Sequence, residues 1–330
     1  MNRPEVLIIT GADRLARLAN IPELVTEIQI KHTGRMVRLP NFSVRIERLS
    51  LIDVILDPKT RLHEGLKRLS ITQGHEEDGL MIGWTFPSTL EEMIVYTRSP
   101  VVDLRAVTAP KITISESGHE SRVLYPEALD RLILFAEDHT VREFPPYLRK
   151  LSLYLDTEGS LGDAVYPSVK EMLLSGEHEP LAFDRMFPNV EKLVVEAVFG
   201  KQLTIKSKSL RTMSIDSTSV QEPIILDTPG LESLTITSAY PEDKADLSLN
   251  TDLGKSLVSL TLESVLAFPV ETEWNRLESI TLIDSDVELP YIRWLEELKT
   301  DMPVMTNDQE VETIDEYKAA WGFTSKAKRA

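Results

Sequence analysis

The sequence predicts an α/β solenoid: stacked short coils that line up about 14 short strands in one parallel sheet, with two helices closing the C-terminal end. The first observation behind this is a period. The pattern apolar-x-x-apolar-x-apolar begins at Pro4, Val25, Ile46, Leu66, Leu90, Ala109, Leu129, Leu148, Val169, Val190, Leu210, Leu231, Leu257 and Leu277, at a spacing of about 21 residues. A fixed period of about 20–29 residues marks a stack of supersecondary units, none of which can bury its apolar face alone. The second is alternation within each unit. The fourth and sixth positions are apolar and point inward, and the third, fifth and seventh face the other way. The third is the break in the period after Leu277. There ELPYIRWLEELKT and EVETIDEYKAAWGF carry helical spacing through Trp294, Leu295, Leu298, Ile314, Tyr317 and Trp321.

These observations set the organisation: a solenoid over 1–290, a helical cap over 291–322 and a basic tail over 323–330. The clearest units read LKRLSIT at Leu66, LRKLSLY at Leu148, VEKLVVE at Val190, LRTMSID at Leu210, LESLTIT at Leu231 and LESITLI at Leu277. Ser, Thr, Val, Ile and aromatic residues are frequent in them, as strands favour. A proline follows Leu39, Phe86, Phe144, Tyr166, Phe187 and Thr228, just before a strand. Proline fixes φ and removes a donor, which suits the corner where the chain turns into the strand. The large residue beside it is expected to fill the corner of the core. Return segments of about 12 residues leave room only for short helical turns, 3₁₀ pieces or extended chain. Two longer spacings contain GHEEDG at Gly74 and YPEDKAD at Tyr240, which read as protruding loops. At the N-terminal end, VLIIT at Val6 reads as a strand whose outer edge needs cover, from the first return segment or from a partner.

Composition excludes several functions. No apolar run reaches the 18 residues of a membrane span, and MNRPEVLIIT lacks the pattern of a secretory signal, so a cytoplasmic or nuclear protein is expected. With no cysteine there is no disulfide, thiolate metal site or cysteine nucleophile. A net charge of −17 opposes adsorption to nucleic acid or anionic membrane. The histidines His32, His63, His75, His119, His139 and His178 share no metal-binding spacing and read as solvated surface residues. HEED at His75 lacks the glycine and spacing of a calcium loop. GxxxxGK[ST], GxGxxG and GxSxG are absent, and no cofactor is implied.

The units resemble leucine-rich repeats, whose LxxLxL core is kept over roughly residues 4–290. FPNVEKLVV and TPGLESLTI are similar to the irregular repeats of fungal and F-box-associated members. The resemblance implies a horseshoe with a concave parallel sheet. One departure is consistent: where the family buries Asn or Cys, this chain has Thr33, Val54, Gly74, Arg98, Ser117, Glu137, Asp156, Glu177, Val198, Thr218, Ala239, Val265 and Ser285. Without an asparagine ladder, backbone groups after each strand must be satisfied another way. A right-handed parallel β-helix remains an alternative architecture.

The outward columns of the sheet point to function. The third position gives Glu27, Arg48, Arg68, Glu92, Lys111, Arg131, Lys150, Glu171 and Lys192, largely basic on an acidic chain. The fifth includes Ile94, Thr113, Ile133 and Ser152, and the seventh includes Tyr96, Ser115, Phe135 and Tyr154. Aromatic anchors flanked by Arg and Lys are typical of binding hot spots. The expected partner site comprises Arg48, Arg68, Ile94, Tyr96, Lys111, Arg131, Ile133, Phe135, Lys150 and Tyr154, for a protein carrying an acidic or aromatic segment. The competing expectation is that cross-strand Glu and Arg neighbours merely neutralise one another. The leading function is a non-enzymatic protein-binding scaffold, with neither nucleic acid nor membrane as partner. The resemblance implies a second, the substrate receptor of a ubiquitin ligase, although no F-box-like helical segment fits before Val25. An enzyme with an unrecognised site is the third.

Overall fold

A computed structural model of the chain describes residues 5–19, 21–39, 45–73, 83–116, 122–136, 144–159, 164–178, 183–200, 204–216, 219–220, 224–237, 247–249, 255–263, 276–283, 303–305 and 311–313. They form a parallel β-solenoid with almost no helix, in two compact units, Met1–Thr157 and Glu158–Ala330.

In the first unit the strands are β1 (Glu5–Thr10), β2 (Val25–Lys31), β3 (Arg48–Ile52), β4 (Arg68–Gln73), β5 (Glu92–Thr97), β6 (Val101–Asp103), β7 (Lys111–Glu116), β8 (Arg122–Leu124), β9 (Arg131–Ala136) and β10 (Lys150–Gly159). β1, β2, β3, β4, β5, β7, β9 and β10 pair in that order, all parallel. From β2 onward the register is unshifted: Arg48 faces Arg68, Leu132 faces Leu151, and Phe135 faces Tyr154. A constant register turns each repeat position into a straight column across the sheet.

Burial follows the same alternation. Val25, Ile46, Leu66, Leu90, Ala109, Leu129 and Leu148 at the first position are at most 4% exposed. So are the fourth and sixth positions, from Ile28 and Ile30 through Leu132 and Leu134 to Leu151 and Leu153. A buried aliphatic side chain contributes about 1.5–3 kcal/mol, so each coil is held mainly by its three inward residues.

Two hydrogen-bond devices recur at the coil corners. The first-position N–H donates to the carbonyl three residues earlier, as in Leu90 to Pro87 (3.2 Å) and Leu148 to Pro145 (3.2 Å), closing a turn. One coil on, two successive N–H groups share a single carbonyl: Lys67 (2.9 Å) and Arg68 (3.0 Å) both donate to Glu47. Phe86 and Phe144 are buried at these corners, as their places beside proline led one to expect.

The return segments answer the question raised by the missing asparagine ladder. They pair with one another coil to coil: β6 runs parallel to β8, and Val37 bridges Leu56 as Arg61 bridges Thr85. Just after the strands, His32 N–H donates to Ile52 O (2.8 Å) and Asp53 N–H to Thr72 O (2.8 Å), while Thr33 Oγ1 accepts from Ile55 N–H (3.4 Å). Direct backbone pairing therefore replaces a buried amide ladder. Gly83 closes one return at φ +87°, where a Cβ would lie 2.8 Å from the Pro58 carbonyl oxygen.

In the second unit the strands are β11 (Glu171–His178), β12 (Lys192–Gly200), β13 (Thr204–Lys206), β14 (Thr212–Asp216), β15 (Ser219–Val220), β16 (Ile224–Asp227), β17 (Ser233–Thr237), β18 (Leu247–Leu249), β19 (Ser259–Glu263), β20 (Ser279–Ile283), β21 (Pro303–Met305) and β22 (Val311–Thr313). The run β11, β12, β14, β17, β19, β20 is parallel, with Leu193, Met213, Leu234, Leu260 and Ile280 stacked inward. A second parallel set, β13, β16 and β18, comes from the returns. At one corner Phe187 is fully buried against Tyr166 and Phe183, with ring centroids 5.6 Å away in each case. Among the described residues the helical elements are the 3₁₀ segment Ala12–Ala19 and the single turn Phe183–Met186.

The helical cap expected over 291–322 finds no support among the described residues. Its described residues are the strands β21 and β22, which pair antiparallel, and β21 extends the sheet parallel to β20 through Ile280–Val304. An exposed sheet edge carries unpaired N–H and C=O groups, and a strand satisfies them where a helix does not. Trp294, Leu295, Leu298, Ile314, Tyr317, Trp321 and the basic tail lie outside the described residues, as do GHEEDG and YPEDKAD. At the other end, among the described residues β1 pairs only with β2, and Val6 (47% exposed) and Ile8 (56%) face outward.

Candidate functional site

All ten residues expected to bind a partner lie on the outward face of the first unit, in three straight columns. The third-position column runs Glu27, Arg48, Arg68, Glu92, Lys111, Arg131, Lys150. The fifth runs Ser70, Ile94, Thr113, Ile133, Ser152, and the seventh Thr72, Tyr96, Ser115, Phe135, Tyr154.

The electrostatics divide the basic column. Arg48 lies 3.8 Å from Glu27, and Glu92 takes both Arg68 and Lys111, each at 2.5 Å. Burial alone would raise the Glu92 carboxyl. The Lys111 hydrogen bond and the charges of Lys111 and Arg68 outweigh it and hold the group below its ordinary 4.5. Neutralisation between strands thus accounts for Arg48, Arg68 and Lys111. Arg131 differs. It lies between Lys111 and Lys150 in register and makes no ion pair among the described residues. Like charges directly opposite on a sheet are unfavourable, so a carboxylate brought to Arg131 from outside would be favoured there.

One measurement checks the network. Glu92→Gln leaves two facing cations without their shared carboxylate and is expected to destabilise the first unit by about 1 kcal/mol at neutral pH. Because the folded pKa is depressed, the Glu92 contribution is complete above 4.5 and is lost as pH falls below it. Urea titrations of wild type and variant should therefore converge on acidification, and a pH-independent gap would refute the assignment.

The aromatic column carries the exposed apolar surface. Phe135 and Tyr154 stack with centroids 4.4 Å apart and planes 12° apart, while Phe135 remains 38% exposed. Tyr96 is 45% exposed and lies two strands from Phe135. Between the basic and aromatic rows the floor is low: Thr113 and Ser152 are buried and Ile133 is half-buried. Rigid, pre-stacked rings lose little side-chain entropy on binding, which is why such anchors dominate interfaces.

A second polar row was legible at the second repeat position but was not read there. Lys67 lies 2.7 Å from Glu47 and Arg149 4.0 Å from Asp130; in the second unit Lys170 lies 2.6 Å from Glu191 and Arg211 3.7 Å from Glu232. The alternation of sign along Glu47, Lys67 and Glu91 was the available signal. These pairs are exposed, so each contributes little to stability.

The histidines need one correction. His32 is exposed and 3.1 Å from Asp53, but His63 is half-buried, and burial holds its imidazole below the ordinary 6.5 against the opposing pull of Glu64. The side chains of His75, His119, His139 and His178 lie outside the described residues. Among the described residues no cluster of three or more His, Asp or Glu could hold a metal ion, and no helix is long and apolar enough to cross a membrane. Compared with protein-family models, with curated proteins and with solved structures, the chain matches none of them.

Proposed function

We propose that this protein is a non-enzymatic scaffold that docks a protein partner on the outward sheet face of its first unit. The observation that carries the reading is the Phe135–Tyr154 stack, with Phe135 exposed, on the same face and in the same coils as Arg131, which makes no ion pair among the described residues. Stacked units present a broad rigid surface whose positions are fixed by the repeat, a common basis for protein recognition. The LxxLxL motif supports a kinship with leucine-rich repeats.

Affinity capture with wild type and with the triple variant Arg131→Ala, Phe135→Ala, Tyr154→Ala tests the reading. The variant should remain folded, since all three side chains face outward, and should lose its bound protein by about tenfold or more. An unchanged set of bound proteins with a folded variant would remove the site. A cullin-type ligase among the proteins lost would favour the ubiquitin-ligase receptor reading.

A further inference from the structure

We infer that the ligand of this face is an extended acidic peptide in which a carboxylate side chain and an aromatic side chain stand four residues apart. The inference rests on the docking reading and specifies its partner. The cationic row at the third position and the aromatic row at the seventh both run across the strands. Within β9, Arg131 and Phe135 are therefore four residues apart on one face. At about 3.3 Å per residue, the two rows are separated by about 13 Å along the strand direction.

A ligand that touches both rows must run along the strands rather than across them. An extended peptide advances by about the same rise per residue, so side chains at i and i+4 span the same separation and point to the same side. The intervening positions cross the floor formed by Thr113, Ile133 and Ser152. Opposite i+2 the floor is the half-buried Ile133 flanked by the small residues Thr113 and Ser152, which suits a small side chain. Charge complementarity selects the acidic residue. Arg131 is exposed and makes no ion pair among the described residues, and a guanidinium receives a carboxylate through two parallel N–H donors. The stacked pair Phe135–Tyr154 presents ring surface to a third aromatic side chain at the other end.

Synthetic, fluorescently labelled peptides provide the test: one Asp and one Phe in a Ser/Gly background, in both orders, at separations of one to six residues. Fluorescence anisotropy against the full chain at low salt should show tightest binding at a separation of four, at least about tenfold tighter than at a separation of two. Replacing the peptide Asp by Asn should cost about as much as Arg131→Gln in the protein, and the two changes together should cost no more than either alone. Uniform binding at all separations, additive effects of the two changes, or no binding by any peptide overturns the inference. If the triple variant still loses its protein partner while the separation proves irrelevant, the docking face stands and only the proposed peptide chemistry falls.

Discussion

Leu132→Asp is expected to unfold the first unit, whereas Ile133→Asp, one residue along the same strand, leaves it folded. Leu132 is fully buried, stacked in register between Ile112 and Leu151. A carboxylate there has no partner cation on the inward side of the strand, because its neighbours in the column are aliphatic. Burying an unpaired charge costs at least about 3–5 kcal/mol, and losing the leucine packing adds about 2–5 kcal/mol. Together these approach the whole stability of an ordinary domain. Ile133 points to the other face, half-buried between Thr113 and Ser152, where an aspartate keeps access to water. Its cost should stay near or below about 1 kcal/mol. Thermal melts followed by circular dichroism distinguish the two variants directly. If Ile133→Asp were the damaging one, the register, the columns and the docking face would all be misassigned. Ile133→Asp also places a negative charge beside Arg131, so the folded variant should bind acidic peptides more weakly.

That pair of variants isolates what the sequence made readable. A strand has a period of two and the units a period near 21, so together they fix both the face and the neighbour of every strand residue before any coordinates are known. The placement of Phe135 beside Tyr154, with Tyr96 two strands away, follows from this arithmetic, and the structure agrees. The returns were opaque because they lack such a period. That Val101–Asp103 pairs with Arg122–Leu124 depends on which loops bring these segments together, not on any pattern inside either one. Charges were legible as types but not as pairs: only the structure places Glu92 between Arg68 and Lys111 and leaves Arg131 without an ion pair among the described residues. At the C-terminal end, helical spacing is carried by residues on either side of Val304 and Met305, whereas these two residues satisfy the edge of β20 as a strand, a backbone demand that side-chain spacing does not display.

The corner aromatics carry the second large effect, and Phe187→Ala should destabilise the second unit by about 3–5 kcal/mol. The backbone contribution of this residue survives truncation: its N–H still reaches Phe183 O (2.9 Å) and its carbonyl still accepts from Val190 N–H (3.3 Å). What is lost is the ring, fully buried and in contact with Tyr166 on one side and Phe183 on the other. Those rings are anchored by different elements. Tyr166 N–H donates to Met186 O (2.7 Å), and Phe183 begins the helical turn Phe183–Met186. They cannot simply close over the cavity. In a stack where each coil is supported only by its neighbours, a void at one corner loosens the adjacent strands first. Native-state hydrogen exchange should accordingly show loss of protection centred on β11 and β12. Phe187→Leu, which refills most of the volume, should recover more than half of the stability. Val194→Ala, an outward truncation in β12, should cost less than about 1 kcal/mol and leave protection unchanged. Equal damage from Val194→Ala and Phe187→Ala would mean that the aromatic corner is not the keystone of this coil.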